Sequence, residues 1–275
     1  MTTPPTSLAF HDVSHVYPSG TRALEHVDLV VHAGEKVALL GENGAGKSTL
    51  MLHTNGILTP SEGAVAVDGV AITRTTVREA RSRVGLVFQD PDDQLFMTSI
   101  GADVDFGPRN LGLSEDEIRA RTVEALSAVD LLEHIATPGA DLSWGQRKRA
   151  ALATVLSMRP SIMVLDEPTS NLDPRARRSM KELLAGLDAT MLIATHDMDL
   201  AWELCDRVVV MSQGRIAADG PREEILIDGE FLESVGLELP HAVRTKNVMD
   251  RPAGHSGDYV PGELNIGPPV GKEIR

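Results

Sequence analysis

The stretch Gly41–Thr49, GENGAGKST, decides the fold together with the apolar run KVALL that precedes it at Lys36–Leu40. A short continuous apolar run ending in glycine is the pattern of a buried strand feeding a loop. The spacing of Gly41, Gly46, Lys47 and Ser48 fits G-x-x-x-x-G-K-[ST]. Glycines let such a loop curl until its N–H groups converge on phosphate oxygens. The helix pattern that follows adds positive potential at its N-terminus. The loop Gly41, Glu42, Asn43, Gly44, Ala45, Gly46, Lys47, Ser48 and Thr49 is therefore expected to cradle the phosphates of ATP or GTP. Lys47 would neutralise the β and γ phosphates, and Ser48 would ligate Mg²⁺.

Such a loop needs a carboxylate at the end of a neighbouring buried strand. The run SIMVLDEP at Ser161–Pro168 supplies Asp166 and Glu167. Asp166 would hold Mg²⁺ through water, and Glu167 would sit where an attacking water can be polarised. Two adjacent acids at a buried strand end need a cationic partner, and a metal ion is the natural one.

Composition narrows the setting. The chain has 275 residues, 42% of them hydrophobic but only 3% aromatic, so its core is aliphatic. The formal net charge of -14 argues against non-specific attachment to nucleic acid or anionic lipid. Phosphate binding must come from local geometry. The single cysteine, Cys205, cannot form an internal disulfide and lies in the helical stretch LAWELC, where core packing is expected. No stretch reaches the roughly 20 apolar residues of a membrane span, and MTTPPTS lacks the features of a signal peptide.

Strands are expected at 8–17, 24–31, 64–68 and 84–89, and in TMLIATH and RVVVM. Helices are expected over 114–131, opened by a capping box of Ser114 and Glu117, and from Pro174 to about 187. Alternating strands and helices with buried apolar strands imply an α/β fold around a largely parallel sheet. A helical subdomain interrupts the alternation over about 90–157. Gly220-Pro221 punctuates the end of the main-domain elements. The Pro- and Gly-rich tail over 238–275 is expected to be mobile or wrapped on a partner, and its His241 and His255 are poor candidates for metal ligands.

In order, the motifs resemble those of the ATP-binding-cassette ATPases over Leu8 to about Leu237. Besides the phosphate loop and IMVLDEP, the chain carries VFQD at Val87–Asp90, LSWGQ at Leu142–Gln146, SNLD at Ser170–Asp173 and ATHD at Ala194–Asp197. The resemblance implies a P-loop NTPase, RecA-like core with an antiparallel β subdomain and the inserted helical one. It implies that Tyr17 stacks on adenine and that Gln89 reaches Mg²⁺ and the attacking water. Glu167 would be the catalytic base and His196 the switch that touches the γ-phosphate. Asp173 would couple two sites across a dimer of the chain with a second copy of itself.

The segment FQDPDDQLF followed by DVDFGPRNLGLS looks like the energy-coupling-factor importers, and LIATHDMDLAWELCDRVVV with DGPREEIL and GLELP looks like their cobalt and nickel members. That likeness implies a transport motor, peripheral at the cytoplasmic face of the cell membrane. Its partners would be a transmembrane coupling subunit and a substrate-binding membrane subunit, with Asp92, Asp93, Gln94, Leu95 and Phe96 as the contact. It implies no binding of nucleic acid. Import of a vitamin by the same type of complex, or a non-transport ATPase, are the alternatives. About fifty residues between Gln89 and Ser143 leave no room for the coiled coil of chromosome-organising members.

LSWGQ has a local reading as well: Ser143 and Gln146 form a capping box at a helix start. A helix N-terminus is also an anion site, and the chain already has its own phosphate loop. The resemblance implies that Ser143, Gly145 and Gln146 touch the γ-phosphate of the other subunit's ATP. Trp144 replaces the first of two usual glycines, and its ring is expected at the dimer face or beside the helical subdomain.

Overall fold

A computed structural model describes residues 5–249. Two sheets and a set of helices form it. The strands are β1 (Thr6–Val16), β2 (Arg22–His32), β3 (Lys36–Leu40), β4 (Glu62–Val67), β5 (Val70–Ala71), β6 (Val84–Val87), β7 (Ile162–Asp166), β8 (Thr190–Ala194), β9 (Arg207–Ser212) and β10 (Arg215–Pro221). The helices are α1 (Lys47–His53), α2 (Val77–Arg83), α3 (Ile100–Asn110), α4 (Glu115–Ala128), α5 (Trp144–Leu156), α6 (Pro174–Ala185), α7 (Met198–Leu204), α8 (Arg222–Ile225), α9 (Gly229–Ser234) and α10 (His241–Met249).

The larger sheet has the order β10-β9-β3-β8-β7-β6. Every pairing from β9 to β6 is parallel, and only β10 runs antiparallel. The smaller sheet, β2-β1-β4-β5, is antiparallel throughout. Side-chain alternation along each central strand splits its residues between two cores. Ala38, Leu40, Met163, Leu165 and Ile193 face one core with the helices α3 to α7. Val37, Leu39, Val164, Leu192 and Ala194 face the other, shared with α1 and the antiparallel sheet. Two-sided burial is why these strands read as unbroken apolar runs.

Helices α3, α4 and α5 form the insertion expected over about 90–157. Ser114 caps α4 in the expected capping box. Two expectations need correction. The chain does not leave the body at Gly220-Pro221: Pro221 ends β10, and Leu226 and Leu232 beyond it are fully buried in the core. A continuous apolar spacing after the glycine keeps the chain packed. The start of the expected mobile tail is helix α10, with Val243 buried and the His241 N–H donating to Asp199 Oδ1 at 2.7 Å. The remainder of the tail, with His255, lies outside the described residues.

Cys205 is fully buried at the end of α7. Burial, with Asp206 adding to it, pushes its thiol up to about 12. A thiolate is the reactive form, so the native protein should not react with an Ellman-type reagent at neutral pH. Concentrated guanidinium chloride should release the thiol. Rapid labelling of the folded chain would contradict this burial.

Candidate active site

Parallel strands in one sheet end on the same edge, and ligands of α/β proteins bind there. In the order β3, β8, β7, β6 the carboxyl ends deliver the phosphate loop, His196, the Asp166–Glu167 pair and Gln89. These residues line one cleft of about 900 Å³ together with Tyr17.

The loop geometry needs glycine at specific points. Gly41 has φ 145°, and a Cβ there would lie 2.3 Å from the Met211 carbonyl oxygen. Gly46 has φ 106°, and its Cβ would lie 2.6 Å from the Ala23 carbonyl oxygen. Lys47 donates from Nζ to the carbonyls of Gly41 at 2.6 Å and Glu42 at 3.0 Å. Burial lowers the pKa of its ammonium, and the carboxylates of Glu167 and Asp166 partly oppose that. A poorly solvated cation at the mouth of a loop of N–H groups is suited to a polyphosphate.

Tyr17 is half-buried, and its hydroxyl pairs with Thr49 Oγ1 at 3.0 Å. The ring of His15 meets it edge-on at 4.7 Å. Behind it, His53 Nδ1 lies 2.7 Å from the Thr49 carbonyl oxygen. A carbonyl only accepts, so Nδ1 carries the proton and Nε2 faces His15 Nδ1 at 3.2 Å as acceptor. The chain of contacts orients the Tyr17 ring.

Burial raises the pKa of the Asp166 carboxyl, against the Ser48 hydroxyl beside it and the charges of Lys47 and Lys148. Glu167 is buried and has φ 48°, a left-handed conformation that costs a non-glycine residue about 1–3 kcal/mol. Its carboxylate Oε2 lies 2.8 Å from His196 Nδ1 and accepts from Thr195 Oγ1 at 3.4 Å. His196 itself is largely exposed to the cleft.

The LSWGQ residues, the signature of this resemblance, lie elsewhere, at the start of α5. Ser143 caps α5, and the capping box with Gln146 is present. Ser143, Gly145 and Gln146 line a separate cleft of about 560 Å³ with Asp173 and Asn171. None of these signature residues lines the chain's own phosphate cleft. Asp173 also caps α6, its Oδ1 accepting from the N–H groups of Arg175 and Ala176. Trp144 lines that separate cleft too, and reaches further. It lines a groove with Ser48, Gln89, Asp166 and Asn171, packs on the core, and points its Nε1 at the Ser170 carbonyl oxygen at 3.5 Å. The Arg147 guanidinium lies 5.3 Å over its ring and binds Asp92 at 2.8 Å.

The expected partner contact divides. Asp92, Asp93 and Phe96 are exposed. Gln94 is half-buried: its amide donates inward to the Ala151 carbonyl and to Thr154 Oγ1, and accepts from the Phe88 N–H. Leu95 is likewise drawn in, packed on the core. An apolar side chain and an amide with three internal partners are more stable inside than in water.

Sequence reading overlooked Gly236 and Leu237, which line the phosphate cleft, and Asp197, which accepts from Thr169 Oγ1 at 3.2 Å. It also overlooked Lys148, which is 1% exposed. Its signal was present: Lys148 lies on the helical face of Ala151, Leu152 and Val155, all buried, and a lysine on an apolar stripe needs internal partners.

The ABC transporter family profile matches residues 24–170. The chain belongs to that family. It is an ABC ATPase. A putative ABC transporter ATP-binding protein of Streptomyces coelicolor is 49% identical over 89% of this chain and 94% of its own length. The energy-coupling factor transporter ATP-binding protein EcfA of Carboxydothermus hydrogenoformans is 46% identical over 86% of this chain and 89% of its own. Among solved structures, cbiO1 of Clostridium perfringens, part of the ABC transporter complex cbiONQ, superposes with a TM-score of 0.74. It is 40% identical over 88% of this chain and 99% of its own. A dimeric ATP-binding cassette bound to ADP and Pi in a post-hydrolysis state gives a TM-score of 0.70 at 26% identity, over 78% of this ABC ATPase and 98% of its own chain.

If Glu167 polarises the attacking water, Glu167→Gln should lower ATP hydrolysis by about 10²–10⁴-fold. ATP binding, measured by equilibrium dialysis, should persist. An unaltered rate of phosphate release would remove Glu167 from that role.

Proposed function

We propose that this ABC ATPase is the motor of an energy-coupling-factor importer, peripheral at the cytoplasmic face of the membrane, and that the complex takes up cobalt or nickel. The observation that carries the motor reading is an exposed aromatic patch directly after the glutamine loop. Phe96 is 62% exposed and Phe106 45%, with their rings edge-on at 5.1 Å and Met97 beside them. Exposed aromatic clusters on a polar surface mark interaction sites. The patch lies on the helical subdomain, beside the Asp92–Arg147 ion pair that leads to the signature helix. A transmembrane subunit docked there would feel each change at Gln89. No helix among the described residues is long and apolar enough to cross a membrane, which suits a motor that acts through partners. The metal cargo rests on the likeness of the segments around His196 and Gly220, and selectivity would reside in a substrate-binding membrane subunit. No cluster of three metal-ligating side chains occurs among the described residues.

In this reading ATP lies between two copies of the chain. Ser143, Gly145 and Gln146 of one copy face the γ-phosphate held by the other's phosphate loop, with Asp173 at the seam. The separation of the two clefts within one chain supports that arrangement. Ser48, Gln89 and Asp166 are suited to hold Mg²⁺: their oxygen donors line one groove, and Asp166 is a half-buried carboxyl. The ion would supply charge neutralisation on the phosphates. Glu167 would take the proton of the attacking water, oriented by Thr195 and His196.

Phe96→Asp should keep basal ATP hydrolysis within about twofold and lose co-purification with the membrane subunits from solubilised membranes, as expected of a central interface aromatic. Recovery of ribosomes or DNA and no membrane protein with the unmodified chain would defeat the transport reading. Ser143→Arg should abolish hydrolysis and spare nucleotide binding. Uptake of radiolabelled cobalt or nickel by vesicles containing the reconstituted complex tests the cargo, and uptake of neither would remove it.

A further inference from the structure

Lys148 lies on the signature helix α5, one turn beyond Trp144, and its side chain is enclosed. An ammonium has three donors. Lys148 Nζ reaches three acceptors: the Gln89 carbonyl oxygen at 2.7 Å, the Glu167 carbonyl oxygen at 2.8 Å and Ser170 Oγ at 3.1 Å. Each acceptor belongs to a different segment, namely the glutamine loop, the strand-end acid pair and the loop that leads to Asp173. Burial lowers the pKa of the Lys148 ammonium to about 8, and the carboxylates of Glu167, Asp166 and Asp90 oppose that in part.

The Glu167 carbonyl has further donors. It accepts from Ser170 Oγ at 2.9 Å and from the Ser170 N–H at 3.2 Å, while the Glu167 N–H donates to Ala194 O at 2.9 Å. The residue that holds the left-handed backbone is thus pinned at both ends of its peptide frame, and Lys148 is the charged member of the set. A planar guanidinium could not direct three bonds to acceptors converging on one point, whereas a tetrahedral ammonium can.

We propose that Lys148 is a positioning residue for ATP hydrolysis: its ammonium ties the peptides of Gln89 and Glu167 to the signature helix. The catalytic acid, the glutamine loop and Ser143 then move as one body. A shift of the helical subdomain, which carries α5, reaches both in-chain catalytic side chains without passing through the nucleotide. Lys148 does not line the phosphate cleft, so its removal is expected to change the rate more than nucleotide affinity. The inference rests on Glu167 being the general base.

The test is a double-mutant cycle on the full chain, by single-turnover hydrolysis of radiolabelled ATP. Lys148→Met removes all three donors at similar volume. It should lower kcat by roughly 10–100-fold, the scale of a misplacement of about 1 Å, with ATP affinity within about threefold of the parent. Added to Glu167→Gln it should cost less than about twofold more, because residues acting as a unit are not additive. Should Lys148→Met lack a cooperative melt, Ser170→Ala keeps the buried lysine and removes one acceptor, and it should still lower kcat without changing affinity. Full kcat in a folded Lys148→Met, equal losses of kcat and affinity, or full additivity with Glu167→Gln would overturn the proposal. So would full kcat in Ser170→Ala where Lys148→Met does not fold. A normal rate in Glu167→Gln alone would instead remove the base, and this inference with it.

Discussion

Parallel pairing of β3, β8, β7 and β6 is the constraint on which the rest of the molecule depends. Four strands running the same way end on one edge, so residues separated by more than a hundred positions in the chain become neighbours. Lys47, Gln89, Asp166, Glu167 and His196 line one cleft for that reason alone. The pairing requires apolar side chains on both sheet faces, and the two cores satisfy it with alternate residues of the same strands.

The site sits in an acidic chain with a net charge of -14, yet it is built for an anion. Long-range potential is screened within about 10 Å at ordinary ionic strength, whereas converging N–H groups and a buried lysine act at contact distance. Lys47 loses hydration and spends its donors on its own loop carbonyls, groups that a phosphate oxygen can displace. Burial raises the pKa of the Asp166 carboxyl, and the Ser48 hydroxyl and the ammonium groups of Lys47 and Lys148 oppose that in part.

The signature helix has two kinds of end. Outward, Ser143 and the first turn of α5 form a capped N-terminus turned away from the chain's own phosphate loop. Inward, Lys148, Trp144 and Arg147 reach the glutamine loop and the segment after Glu167. Trp144 in place of glycine adds a ring that spans the groove between Ser170 and Arg147 without touching the serine hydroxyl's role as cap. The same helix thereby presents its capped end to a separate cleft and its Lys148 ammonium to the peptides of Gln89 and Glu167.

What the sequence determined by itself was local in range. The apolar run before GENGAGKST, the acids ending SIMVLDEP and the Ser143 capping box each depend on residues within a turn or a strand of one another. The glycines at 41 and 46, the β3 and β7 strands and the cap of α5 were readable for that reason. Tertiary structure alone decided where side chains turn when two environments compete. Gln94 and Leu95 point inward because Ala151, Thr154 and the core lie beside them, and residues 241–249 form a helix on α7 where composition suggested mobility. Lys148 had a periodic signal, but its three acceptors come from chain segments far apart in sequence. Burial of a charge depends on partners that only the folded chain brings together.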